Sequence, residues 1–136
     1  MSTEDYLFEV VVGVVRCDKR GFLLVRRSEE ESLSGKWEFG GGAVEKDENL
    51  EDAVEREMSE ETSLDVNLIR KGAPYFDEYS KGGRLKLHPF LLEVEESDEV
   101  ELSHEHDDHE WLEIKEIHEI DTLGNMKALK NLGLIK

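Results

Sequence analysis

Gly42-Ala43-Val44-Glu45-Lys46-Asp47-Glu48-Asn49-Leu50-Glu51-Asp52-Ala53-Val54-Glu55-Arg56-Glu57-Met58-Ser59-Glu60-Glu61-Thr62-Ser63-Leu64 is the stretch from which the rest of this 136-residue chain is ordered. Asn49 to Glu61 holds no Gly or Pro, and Asp47 stands where a helix N-cap is wanted, so the spacing predicts a helix. At about 100° per residue, Leu50, Ala53 and Val54 define its apolar stripe. Glu57 and Glu61 fall on that stripe and Glu60 lies beside it. Burying unpaired charge is costly, and neighbouring carboxylates resist joint ionisation. Arg56 cannot balance three acids. Either they form an ordinary solvated face, or hard divalent cations such as Mg²⁺ or Mn²⁺, which prefer oxygen ligands, sit among them.

Outward from this helix the pattern is strand-like. Leu7 to Val15 is rich in Val, Asp18-Lys19-Arg20-Gly21 makes a turn, and Phe22 to Val25 returns, which predicts a hairpin. Ser28 to Gly35 is a polar loop. Trp37-Glu38-Phe39 is a short strand that runs into Gly40-Gly41-Gly42. After the helix come Leu64–Ile69, Tyr75–Tyr79, Leu85–Val94 and Glu110–Ile114, with Pro89 placing its strand at a sheet edge or a bulge. A last helix starts near Asp121 or Thr122 and stops before Gly133, with Leu123, Met126, Leu129 and Leu132 facing inward. No repeat or linker divides residues 1–136, so they read as one domain. Its fold class is α+β, an α/β/α sandwich with a mixed β-sheet between helices.

Composition limits the partners. Acidic residues number 34 against 17 basic, a formal net charge of -17. DNA, RNA and anionic membranes are repelled by such a surface, so no nucleic-acid polymer and no membrane is expected as partner. The acid excess serves solubility, or adapts the protein to a salty cytoplasm. Val10 to Val15 is too short to span a bilayer, and Met1-Ser2-Thr3-Glu4-Asp5 has neither the basic nor the apolar region of an export signal. Cys17 is the single cysteine, so no disulfide framework is expected, and the cytoplasm is the simplest compartment.

The spacing Gly42, five residues, Glu48, seven residues, then Arg56-Glu57-Met58-Ser59-Glu60-Glu61-Thr62-Ser63-Leu64 resembles the signature of the Nudix hydrolase family, MutT-like branch included. One position departs: Ser63 stands where the family has Gly, a residue suited to a left-handed helix end. The resemblance implies the Nudix fold and a Mg²⁺- or Mn²⁺-dependent pyrophosphohydrolase acting on a nucleoside diphosphate linked to a further group. It also implies that Glu57, Glu60 and Glu61 bind metal, with a carbonyl of Gly41 or Gly42 as extra ligand. Arg56 would orient the acids, Glu48 would complete the network or pair with Arg56, and Glu60 would share in catalysis.

In the family, a carboxylate before a Trp-containing strand serves as ligand or base. Glu105, six before Trp111, is the first candidate and Glu101 the second, with His104 and His106 as alternatives because imidazole titrates near neutrality. The segment from Glu101 to Trp111 reads equally as a charged loop, and His104, His106 and His109 do not fit a zinc pattern. Lys36 to Gly42 is similar to a strand of the MutT-like branch, with Gly40 where Pro is frequent. Arg26 or Arg27 would meet phosphate or a salt-bridge partner. Asn125 resembles in position a base-reading Asn, and is also a common helix-start residue. Tyr75, Phe76, Tyr79 and Phe90 are stacking candidates that equally suit a core.

The leading substrate is a nucleoside triphosphate, with oxidised purine nucleotides among the candidates, cleaved to a nucleoside monophosphate and pyrophosphate. The alternatives are ADP-ribose or a dinucleoside polyphosphate as substrate, a non-catalytic nucleotide-sensing module, or an acidic interaction protein. Family members include monomers and homodimers.

Overall fold

The computed structural model describes residues 5–96, 98–120 and 125–136, so Leu123 and the expected start of the last helix at Asp121 or Thr122 lie outside the described residues. The hairpin forms as expected. β1 (Glu9–Cys17) turns, with the Arg20 N–H donating to the Cys17 carbonyl at 3.1 Å, into β2 (Gly21–Arg27). The two strands pair only at their closed end, Arg16 with Phe22 and Cys17 with Gly21, and then diverge. The fork is filled by β3 (Trp37–Glu38), paired with β2, and β4 (Gly40–Ala43), paired with β1. The glycines thus form a strand of their own rather than ending β3. Gly41 (φ 153°) is required there, because any Cβ would run into the Val11 carbonyl.

α1 (Leu50–Thr62) follows. Its N-cap is Asn49, whose side chain accepts the Asp52 N–H at 2.8 Å, rather than Asp47, which sits two residues earlier in a left-handed turn (φ 65°). Ser63 caps the other end at φ 61°, the left-handed conformation that Gly would take most easily. β5 (Asn67–Lys71) starts later than predicted, because Leu64 and Val66 bury themselves under α1 before the chain joins the sheet. β6 (Tyr75–Glu78), β7 (Arg84–Glu93) and β8 (His106–Leu112) complete the sheet. β7 is no edge strand. It runs parallel to β1 on one side and antiparallel to β5 and β6 on the other. Pro89 is tolerated because its carbonyl, accepting from the Gly72 N–H at 2.9 Å, faces the gap between β5 and β6, so its missing N–H breaks no rung there.

The sheet separates two cores. Alternation along β1 sends Val11 and Val15 toward α1, with Phe90, Leu92 and Met58, and sends Val14 to the other face, with Leu91, Ile117 and Leu129. The second face is covered by α2 (Ile114–Ile120) and α3 (Asn125–Asn131). The α/β/α sandwich is therefore as predicted. α2 was not anticipated: the strand foreseen to Ile114 ends at Leu112, where the Glu116 carboxylate accepts the Glu113 N–H at 3.0 Å and starts a helix that buries Ile117. Leu129 and Leu132 are buried and Met126 half-buried, as expected. Among the described residues no helix is long and apolar enough to cross a membrane.

Candidate active site

The position of α1 follows from one packing contact. Gly13 on β1 and Gly40 on β4 face each other, and a Cβ on either would lie 2.7 Å from the Met58 side chain. Two bare backbones let Met58 sink onto the sheet and bring α1 close to β4. Glu57, one residue earlier, then meets Gly42, whose added Cβ would stand 2.5 Å from the Glu57 carboxyl carbon. Glu61, one turn after Glu57, meets Gly40 and Gly41, and its Oε1 accepts the Gly41 N–H at 3.3 Å. The glycine strand is thus the wall against which two of the three predicted acids stand.

The three glutamates are not equivalent. Glu61 is 2% exposed, and its Oε2 has no hydrogen-bond partner among the described residues. Burial, helped by the adjoining Glu57 charge, pushes its carboxyl up to about 10; the Gly41 N–H pulls the other way and the Glu38 charge adds to the rise. Glu57 is half-buried and accepts from Arg56 at 2.9 Å. Glu60 points outward, its side chain 57% exposed, and meets Arg56 at 3.2 Å. Arg56 also donates to both oxygens of Glu48, at 2.8 and 2.9 Å, and to the Ala43 carbonyl at 3.1 Å. Those bonds, with a backbone N–H from Glu45, hold the Glu48 carboxyl down at about 2, and the surrounding acids raise the Arg56 guanidinium. Arg56 and Glu48 therefore pair, one of the two arrangements expected for Glu48.

Among the described residues, no three acids or imidazoles already encircle a point at coordination distance. Arg56 draws Glu57 and Glu60 to itself. The donor set nevertheless fits a hard cation: a buried acid with an unpartnered oxygen, a second acid beside it and an open backbone wall.

The loop before β8 is fastened to this region. The Ser103 N–H donates to the Glu61 carbonyl at 3.1 Å and the Glu101 N–H to the Thr62 carbonyl at 2.9 Å. Glu105 is exposed at the end of that loop, with its carbonyl held by the Ser28 N–H at 3.0 Å; Glu101 and His104 are also exposed. His106 is buried instead, its Nε2 2.9 Å from Glu38 and its Nδ1 3.9 Å from Glu61 Oε1. Glu38 was not singled out from the sequence. A lone carboxylate between Trp37 and Phe39 in a two-residue strand was the available signal, and its partners, Arg27 and His106, come from distant segments.

Beside the glycine strand opens a cavity of about 650 Å³. Tyr75, Tyr79 and Leu87 give it apolar walls, and Arg27, Glu38 and Asn125 line it too. The predicted arginine pair divides. Arg27 faces the cavity and pairs with Glu38 at 3.0 Å, while Arg26 pairs with Asp107 at 2.7 Å, with its guanidinium 5.7 Å from the Trp37 ring centre. Asn125 is buried, accepting from the Phe39 N–H at 3.4 Å and donating to the Trp37 carbonyl at 3.3 Å. Of the stacking candidates, Tyr75 and Tyr79 line the cavity, Phe90 is core, and Phe76 packs against Tyr6 and Arg84.

The family model described as NUDIX domain matches residues 7–132. The chain is 31% identical over 105 residues to the CTP pyrophosphohydrolase of Escherichia coli (strain K12), covering 77% of this chain and 75% of that protein. A shorter match, 34% over 56 residues, links 41% of the chain to 43% of the 8-oxo-dGTP diphosphatase of the same organism. Among solved structures, the MutT protein from Methanosarcina mazei Go1 superposes with a TM-score of 0.80 at 27% identity, over 98% of this chain and 97% of that one.

Proposed function

Because this chain belongs to the Nudix domain family and is a hydrolase of that family, we propose that it cleaves nucleoside triphosphates to a nucleoside monophosphate and pyrophosphate. Residues 1–136 act in this reading as one catalytic domain, in the cytoplasm. The observation that carries it is the pair of inward glutamates, Glu57 and Glu61, standing on a glycine wall that also borders the cavity. The named relatives that act on CTP and 8-oxo-dGTP favour a triphosphate.

Glu57, Glu60 and Glu61, with the Gly41 or Gly42 carbonyl, would hold Mg²⁺ or Mn²⁺. Such cations, when bound, neutralise phosphate charge and acidify water. Gly41 is the better of the two glycines: its N–H turns to Glu61, whereas Gly42 stands opposite Val11 in a rung of the β1 ladder. Arg56 holds Glu48, Glu57 and Glu60 in register. The Glu105 carboxylate takes the proton of the attacking water, with Glu60 the alternative acceptor. Water adds to phosphorus as the phosphoanhydride bond breaks, and pyrophosphate leaves with the bond's electron pair. Arg27 reaches phosphate by exchanging Glu38 for it, and the tyrosine walls with Asn125 receive the base. The intact Arg56 and all three glutamates favour turnover over mere sensing.

The test is a panel of nucleoside triphosphates, ADP-ribose and dinucleoside polyphosphates with Mg²⁺ or Mn²⁺, the products identified by mass and the attacked phosphorus by ¹⁸O-labelled water. Monophosphate and pyrophosphate from a triphosphate, lost in Glu60→Gln and Glu61→Gln, support the proposal. Turnover restricted to ADP-ribose or dinucleosides, or none at all, overturns it.

A further inference from the structure

His106 occupies a place that proton transfer alone does not explain. Its side chain is 2% exposed, so water and a bulky nucleotide are kept from it. Its backbone is clamped. The Ser28 N–H donates to the Glu105 carbonyl at 3.0 Å and the Ser28 hydroxyl to the His104 carbonyl at 2.9 Å. The same loop is tied through Ser103 to the backbone of Glu61 itself. The ring is also anchored. Nε2 lies 2.9 Å from Glu38 Oε2, a carboxylate with no proton to give while it accepts from Arg27, so Nε2 carries the hydrogen. The remaining ring nitrogen, Nδ1, has no hydrogen-bond partner among the described residues and stands 3.9 Å from Glu61 Oε1. On its other side Glu61 Oε1 accepts the Gly41 N–H at 3.3 Å.

We propose that His106 is a positioning residue for the cation-binding acids: anchored by Glu38 through Nε2, its Nδ1 edge fixes where the Glu61 carboxylate stands. The inference rests on the reading of Glu61 as a metal ligand. A carboxylate at a helix end has three side-chain torsions, and a cation selects few of their combinations. A rigid imidazole beside it removes the unproductive ones before binding. Glu38 gains a role as well, because it aligns the ring and at the same time holds Arg27 in the cavity.

The experiment uses the full chain with His106→Leu, His106→Asn and His106→Gln, and Glu61→Gln as control. Mn²⁺ binding is followed by calorimetry, turnover as kcat and KM, and folding by melting. An Asn amide oxygen, an acceptor like the bare Nδ1, overlies that edge, whereas a Gln amide nitrogen overlies Nε2 and keeps the donor to Glu38, so the pair separates the two ring edges. His106→Leu is expected to weaken Mn²⁺ by about tenfold or more, as loss of a ligand-supporting group does, with kcat falling and nucleotide KM unchanged. His106→Asn should recover most of that loss and His106→Gln less. If the Leu variant fails to fold, the Asn and Gln variants carry the comparison. Wild-type Mn²⁺ affinity in a folded Leu variant, or better recovery with Gln than with Asn, overturns the proposal while a defective Glu61→Gln leaves the site reading standing. Wild-type affinity in Glu61→Gln overturns both.

Discussion

Replacing Gly42 by Ala separates the requirements of the site from those of the fold. Gly42 has no left-handed φ, so its backbone accepts a side chain. The new Cβ would meet the Glu57 carboxyl, with Cδ and Oε2 both at 2.5 Å. That carboxyl ends a flexible side chain, so Glu57 must retreat by about 1 Å to regain ordinary contact. Its 2.9 Å bond to Arg56 then lengthens or breaks. A bond between charged groups is worth about 1.5–3 kcal/mol when sheltered, and solvent reaching this half-exposed pair brings it to about 1 kcal/mol. The melting temperature should fall by about 3 °C. Turnover should fall far more, by about a hundredfold, the usual effect of moving a catalytic group by an ångström. Gly41→Ala should lose stability far more steeply as well as turnover, because its Cβ collides with the Val11 backbone and breaks the β1–β4 pairing. Steady-state kinetics and a thermal melt on both variants make the assay. Gly42→Ala turning over within threefold of wild type would refute the claim that Glu57 works from against the glycine wall.

Ser63→Gly relieves a left-handed serine at a cost of one exposed hydroxyl bond to Glu101, so stability should rise by about 0.5–1 kcal/mol with turnover unchanged; a lower melting temperature counts against this. The folded Glu48 carboxyl is held at about 2, below its ordinary 4.5, so the stability it contributes is whole above pH 4.5 and is lost as pH falls toward 2. The stability gap between wild type and Arg56→Gln should therefore shrink in acid, and a gap that is constant or widens there would contradict the pairing. For Glu61 the sign reverses. Its folded value is raised to about 10, so its favourable share is whole below pH 4.5 and disappears as pH rises toward 10. Metal-free Glu61→Gln should match wild type near pH 4 and melt higher at pH 8, and wild type melting higher at pH 8 would speak against a buried acid.

Much of this was legible in local pattern. The alternation of β1, the helix from Leu50 and the left-handed stop at Ser63 each follow from neighbours within a few residues. The spacing correctly put Glu57 and Glu61 on the inward face and Glu60 beside the stripe, where it reaches solvent and Arg56. What was illegible depends on distant partners. Gly40 to Gly42 became a strand only because the β1–β2 hairpin splays, and nothing within the hairpin sequence announces the fork. Pro89 was misplaced because its tolerance depends on where β5 stops and β6 starts. The Glu38–His106 contact joins positions 68 residues apart, so no spacing rule finds it.

The measurement that bears most directly on the account is calorimetric titration of Mn²⁺ into the wild-type chain, Glu57→Gln, Glu61→Gln and Glu51→Gln, the last removing an exposed acid from the first turn of α1. The wild type and Glu51→Gln should bind alike with release of a proton, while Glu57→Gln and Glu61→Gln lose about tenfold or more in affinity. Equal binding by all four would mean that the ion senses only the acidic surface, and that the inward glutamates hold no cation.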